Sequence, residues 1–138
     1  MVPTAFTTAT WLATLLRRWV SKGHSPNITL AEDGAVVPVG LEAGEQFIAV
    51  VRANDSREFA FTDSRVVSGG ASLFRYAEVV RCHWITDSPD SMEAARLKRS
   101  HYHRLIVELV GGRRAVIERV GQAVFPLLRF LGSVASSK

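Results

Sequence analysis

The chain has 138 residues, of which 47% are hydrophobic and 22% charged, and its net charge is +4 at pH 7. These values are typical of one folded domain and exclude an intrinsically disordered chain. Cys82 is the only cysteine, which excludes an internal disulfide and a multi-cysteine zinc site and favours a reducing, cytoplasmic location.

An amphipathic helix is predicted near the N-terminus, over residues 4–22. Trp11, Leu15 and Trp19 recur at helical spacing on its apolar face, and Gly23 is placed to end it. Two interpretations stay open at this point. The apolar face packs on its own domain, or it binds a partner or a membrane surface.

Basic residues at the end of this helix bear on the membrane interpretation. Arg17 and Arg18 interrupt the apolar run, which is therefore too short to span a bilayer. The charges follow the apolar run instead of preceding it, so we expect no signal peptide. On a membrane surface, Arg17, Arg18 and Lys22 would meet anionic headgroups.

A connector rich in proline and glycine follows, over residues 24–44, with one short strand predicted at Ala35–Val39. We place the domain boundary in this connector. Residues 1–40 then form the N-terminal helix and connector, and residues 41–138 form the main domain.

The main domain is predicted to consist of about seven short strands joined by tight turns. Its central hairpin is Glu58–Val67, where Phe59 and Phe61 alternate with less apolar residues before the turn Thr-Asp-Ser. In the later strand Val79–Thr86, alternation places Val80, Cys82 and Trp84 towards the core. The predicted strands cover residues 46–52, 58–62, 65–67, 73–76, 79–86, 101–110 and 113–120.

Two further helices complete the predicted order of elements. A short inserted helix near residues 89–99 follows Ser88 and Pro89, which are typical of a helix start. A C-terminal apolar helix of about three turns begins near Pro126, because proline fits only the first helical turn. The expected fold class is mainly β (α+β): a bent antiparallel sheet or partly open barrel with this helix over one end.

The residues Phe59–Val67 resemble the strand, Thr-x-x-Arg, strand signature of bacterial pleckstrin-homology-like (PH-like) domains, with Thr62 and Arg65 as the motif residues. The pair Gly44-Glu45, the Gly111-Gly112 hairpin and the C-terminal helix are also similar to that family. The resemblance covers residues 41–135. It implies a seven-stranded bent barrel capped by a helix, used as a membrane, lipid, peptide or self-assembly module.

Catalytic and metal-binding chemistry has little support in the sequence. His83, His101 and His103 lie on predicted strands and define an alternative hypothesis, a ligand- or metal-binding barrel with an unidentified enzymatic activity. The sequence has no His-Glu-x-x-His, no paired cysteines and no glycine-rich phosphate loop. We therefore predict a protein that is not an enzyme and that needs no cofactor or metal.

Nucleic acid and specific phosphoinositide headgroups are not the expected ligands either. The basic and aromatic neighbours Arg75-Tyr76 and Tyr102-His103-Arg104 are too sparse to form a base-stacking platform. Around the first hairpin turn, Asp55 and Glu58 oppose the arginines of Arg52–Arg57. That turn therefore lacks the run of cations that headgroup phosphates need.

The sequence thus predicts a non-catalytic interaction module that binds a protein partner or self-assembles as a homo-oligomer. The alternative is binding to an anionic membrane surface through the N-terminal helix, at the periphery of the membrane on its cytoplasmic side. The helical residues expected to make contacts are Trp11, Leu15, Trp19, Arg17 and Arg18. A second, basic region would contribute Arg96, Lys98, Arg99 and Arg104.

Overall fold

The computed structural model describes residues 5–23, 27–38, 40–86 and 103–136. Within these residues, no helix combines the length and the apolar character needed to cross a membrane. The helices and strands are, in chain order, α1 (Ala5–Ser21), β1 (Ile28–Leu30), β2 (Phe47–Arg52), β3 (Glu58–Thr62), β4 (Arg65–Ser68), β5 (Ala71–Arg75), β6 (Val79–Thr86), β7 (His103–Leu109), β8 (Arg114–Glu118) and α2 (Val124–Ser136).

The strands form two antiparallel sheets. One has five strands in the order β1-β2-β3-β4-β5, and the other has three in the order β6-β7-β8. Every pairing between the described strands joins neighbours in the chain. Short turns such as Thr62–Arg65 and Gly69-Gly70 require the antiparallel return of β3 to β4 and of β4 to β5. The predicted class, mainly β with a helix at each end, is confirmed.

Hydrogen bonds join the two sheets where β2 and β8 end. The backbone N–H of Asn54 donates to the carbonyl oxygen of Arg119 at 2.8 Å. The side-chain amide of Asn27 donates both to the carbonyl of Arg52, at 2.8 Å, and to that of Val120, at 3.0 Å. One asparagine side chain thus fixes the end of the larger sheet against the end of the smaller one.

The two helices pack on the sheets and on each other. Leu12 and Leu16 of α1 are fully buried in the same hydrophobic core as Leu127 and Phe130 of α2. Gly23 follows α1 in a left-handed conformation, and its N–H bonds to the carbonyl of Val20 at 2.9 Å, as expected for a helix that ends there.

The C-terminal helix begins as predicted. Pro126 lies in the first turn of α2, where its missing N–H removes no helical hydrogen bond. The rest of the helix is free to present a buried face that includes Leu127, Leu131 and Val134. The helix packs on β6 and β7 of the three-stranded sheet, and its Phe130 also contacts Tyr76.

The connector differs from its prediction. Its strand is β1 at Ile28–Leu30, paired with β2, while residues 35–38 are described and form no strand. A second, smaller apolar cluster of Phe47, Ala60 and Val67 lies on the other side of the five-stranded sheet. Ala31, Ala35 and Leu41 of the connector pack against this cluster, whereas Val36 and Val37 are exposed.

A β-bulge changes which side chains of β6 face the core. The pairing register shifts between Val79 and Arg81, so Val80 is 56% exposed although alternation predicted it in the core. Cys82 packs against the core as predicted, and Trp84 follows it on the same sheet face but remains 42% exposed. The predicted inserted helix near 89–99 lies outside the described residues.

Candidate functional site

The residues that carry the PH-like resemblance form one buried hydrogen-bonded cluster, here called the hairpin cluster: Glu45, Thr62, Ser64 and Arg65. The hydroxyl of Thr62 accepts the backbone N–H groups of Ser64 and Arg65, at 3.2 and 3.1 Å, and so closes the turn between β3 and β4. The Glu45 carboxylate accepts hydrogen bonds from Thr62 Oγ1 at 2.6 Å and from Arg65 Nε at 2.9 Å. Two motifs that are separate in the sequence therefore act as one structural unit.

The charged groups of the hairpin cluster pair with each other. Arg65 also donates from Nη2 to the second oxygen of Glu45, at 3.0 Å, so the ion pair is bidentate. Both side chains of the pair are almost inaccessible to solvent. The hydrogen bonds from Arg65 lower the pKa of Glu45 from 4.5 to about 2. Tyr76 donates to the carbonyl of Thr62 at 2.7 Å, and burial raises its pKa well above 10. These polar groups satisfy one another, so we assign the cluster a structural role.

An exposed group of aromatic rings is the strongest candidate site. Phe125 lies between two tryptophans, with ring centroids 6.3 Å from Trp19 and 5.8 Å from Trp84. Trp84 is 42% exposed and Phe125 is 36% exposed, while Trp19 is half-buried. We call Trp19, Trp84 and Phe125 the aromatic patch.

Three elements that are distant in the sequence bring the patch together. Trp19 is in the last turn of α1, Trp84 is near the end of the edge strand β6, and Phe125 is in the first turn of α2. Trp11 contacts Phe130 at 5.3 Å while Trp19 contacts Phe125, so α1 and α2 run antiparallel. The patch therefore marks the end of the molecule where α1 ends and α2 begins.

Three cations lie on or next to the two helices at this end of the described structure, and neither helix contains an acidic residue. Arg18 lies seven residues after Trp11, and therefore on the flank of α1 that meets α2; Lys22 follows Trp19 by one turn; Arg129 follows Phe125 by one turn. All three are exposed, and among the described residues none of the three forms an ion pair. We call Arg18, Lys22 and Arg129 the cationic rim.

The other predicted helical contact residues have structural surroundings. Trp11 and Leu15 are half-buried and pack against the core, which favours the interpretation that the helix packs on its own domain. Arg17 pairs with Glu32 at 2.7 Å on the opposite side of α1. Of the predicted aromatic residues of α1, Trp19 is the one that belongs to the patch.

The predicted basic region is only partly described. Arg96, Lys98 and Arg99 lie outside the described residues. Arg104 is on β7, directly between Ile85 on β6 and Glu118 on β8 in the sheet register. It therefore lies on the sheet face opposite to that of Trp84.

The histidine and cysteine side chains offer no metal site within the described residues, where no group of three or more such ligands comes together. His83 Nδ1 is 3.9 Å from Glu108 Oε2, on the outer face of the three-stranded sheet. Burial raises the pKa of the Cys82 thiol to about 12, so it stays protonated at neutral pH and is a poor nucleophile. His101 and the side chain of His103 lie outside what the structure describes.

The arginines of the first hairpin turn are paired with carboxylates of the turn and of β8. Arg57 donates to Asp55 at 2.9 Å and to Glu118 at 3.1 Å, and Arg52 lies 3.5 Å from Glu58. Both arginines thus have carboxylate partners.

Sequence reasoning missed two of the three patch residues. Trp84 was assigned to the core by alternation, and Phe125 received no role. The signal available was the adjacent pair Trp84-Ile85 at the end of a strand, since two neighbouring apolar side chains point to opposite faces and cannot share one core.

The chain matches no protein-family model, no curated protein and no solved structure. Function is therefore argued below from the geometry of the described residues. The aromatic patch and its cationic rim are the features that geometry distinguishes.

Proposed function

We propose that this chain is a non-catalytic interaction module with a PH-like fold, and that the aromatic patch is its contact surface. The observation that carries the proposal is the packing of Trp19, Phe125 and Trp84 into one exposed aromatic group. The expected partner is a protein, a second copy of the chain or a membrane surface that covers these rings.

The PH-like part of the proposal rests on element order and on the hairpin cluster. β2 to β8 are seven antiparallel strands followed by a helix, which is the order that the resemblance implies. The Glu45–Arg65 pair joins the two motifs of that resemblance, and the bonds of Asn27 and Asn54 link the two sheets. These contacts support a strongly bent arrangement in which β1 is an addition.

A contact role for the patch is supported by the free energy that burying its exposed ring surface would release. Fully burying a large apolar side chain stabilises a protein by about 1.5–3 kcal/mol. Trp84 and Phe125 gain only part of this in the isolated chain, because over a third of each is exposed. Aromatic residues at the centre of a covered surface are also typical of interface hot spots.

The non-catalytic part of the proposal rests on the state of the reactive groups. The hairpin cluster is satisfied internally, and Cys82 is protonated and partly buried. Neither arrangement offers an activated nucleophile beside a base. A binding role accounts for the aromatic patch without any chemistry.

The test is fractionation of a lysate from cells that naturally express the protein. We expect the wild-type chain to run outside the monomer fraction, in a larger assembly or in the membrane pellet. Trp84→Ser should return it to the monomer fraction, because the substitution removes a central ring of the patch.

The matched control is Val36→Ser, which changes an apolar side chain that is 87% exposed and lies far from the patch in the fold. It should fractionate like the wild type. A wild-type chain that runs as a monomer, or an equal effect of both substitutions, would refute the proposal.

A further inference from the structure

We infer that the partner of the aromatic patch is an anionic lipid surface, on which the rings enter the headgroup region while the cationic rim contacts lipid phosphates. The inference rests on the proposed function, whose contact surface it shares. It differs from binding through the apolar face of the N-terminal helix, since Leu12 and Leu16 of that face are fully buried in the core.

Charge complementarity selects this occupant. Neither α1 nor α2 contains an aspartate or glutamate, so Arg18, Lys22 and Arg129 present charge of one sign around the rings. A second copy docked on the same patch would bring two cationic rims together, and their repulsion opposes self-association. An anionic surface instead gains attraction from all three residues.

The side chains also match the chemistry of a membrane interface. Tryptophan is enriched at the boundary between headgroups and acyl chains, and tryptophan and phenylalanine form the apolar face of helices that lie in it. The patch residues come from the ends of α1 and β6 and from the start of α2, and more than a third of Trp84 and of Phe125 is exposed. A shallow aromatic group framed by cations is typical of peripheral attachment.

The experiment is co-sedimentation of the purified full chain with vesicles. One set contains phosphatidylcholine alone, and the other contains phosphatidylcholine and phosphatidylglycerol in equal amounts. We expect binding to the second set only, weakening as salt is raised, because salt screens the attraction between rim and headgroups.

Neutralising the rim tests the geometry with exposed residues that do not hold the fold. Arg18→Gln, Lys22→Gln and Arg129→Gln should each lower the partition coefficient about fivefold, and the triple variant about a hundredfold. Arg114→Gln, an exposed arginine of β8, is the matched control and should have no effect. Phe125→Ser should weaken binding without abolishing its salt dependence.

The outcomes separate this inference from the proposed function. No sedimentation with anionic vesicles, or an equal loss with Arg114→Gln, overturns the lipid inference. If Trp84→Ser still changes fractionation of the lysate in that case, the patch binds a protein and the proposed function stands. If both experiments show nothing, both fail.

Discussion

The Glu45 carboxylate is 2% exposed and receives hydrogen bonds at both oxygens from one guanidinium. Desolvating an ion pair is costly, so such a pair is retained only where additional bonds satisfy it. Here Thr62 and the carbonyl of Gly40 supply those bonds, and the pair joins Glu45, two residues before β2, to the hairpin β3–β4. At the residue scale, the hairpin cluster fixes the segment before β2 to the β3–β4 hairpin.

The cluster predicts a specific dependence of stability on pH. The pKa of Glu45 is about 2 in the fold and near 4.5 when unfolded, so its contribution of about 3 kcal/mol is complete above pH 4.5. It is lost as pH falls towards 2. Urea unfolding at a series of pH values should show this decline in the wild type, and Glu45→Gln should flatten it.

The control for that series is Glu58→Gln, which alters a half-exposed carboxylate paired with Arg52 at 3.5 Å. Its unfolding free energy should follow the wild-type curve. A wild-type stability that stays level between pH 4.5 and 2 would show that Glu45 is not held as described.

At the scale of elements, local sequence pattern predicted what local interactions determine. The helices α1 and α2 and the hairpin β3–β4 follow from apolar period, Gly23, Pro126 and the Thr-Asp-Ser turn. The three-residue strand β1 and the bulge at Val79–Arg81 did not, because each depends on pairing with a strand elsewhere in the chain. The PH-like resemblance and the predicted barrel remain predictions.

The burial of α1 gives a prediction at this scale. Leu16→Ala should lower the free energy of unfolding by about 2–5 kcal/mol, since it leaves a cavity beneath a fully buried side chain. Chemical denaturation of the full chain measures this. Arg18→Ala, an exposed change one turn from Leu15, should stay within about 0.5 kcal/mol of the wild type.

An outcome in which Leu16→Ala leaves stability unchanged would mean that α1 is detachable. The N-terminal helix would then be available as a whole for partner or membrane binding, as one interpretation of the sequence had it. The described packing of Trp11 on Phe130 argues for the opposite result.

At the scale of the whole molecule, the candidate site is a product of assembly. Trp19, Trp84 and Phe125 come from three elements that no sequence window joins, and they meet only because α1 and α2 pack antiparallel beside the edge strand β6. The sequence could identify Trp19 as a contact residue from its helix alone. It could not predict that its neighbours are Phe125 and Trp84, because that depends on tertiary packing.

The distribution of charged residues is also a property of the whole molecule. Arg57 of the first hairpin turn is paired with Asp55 and with Glu118 of β8, whereas α1 and α2 contain no acidic residue. Three cations that form no ion pair among the described residues, Arg18, Lys22 and Arg129, thus lie on or next to the helices that carry Trp19 and Phe125. Position, more than total charge, distinguishes this surface.

The most direct test of the aromatic patch as contact surface is site-specific photo-crosslinking in cells that express the protein. A photoreactive phenylalanine derivative replaces Trp84 or Phe125 in the patch, and Val36 or Val110 at exposed apolar positions elsewhere. We predict discrete lipid or protein adducts from the two patch positions and none from the other two. Adducts of equal or greater yield from Val36 or Val110 would contradict the assignment of the patch.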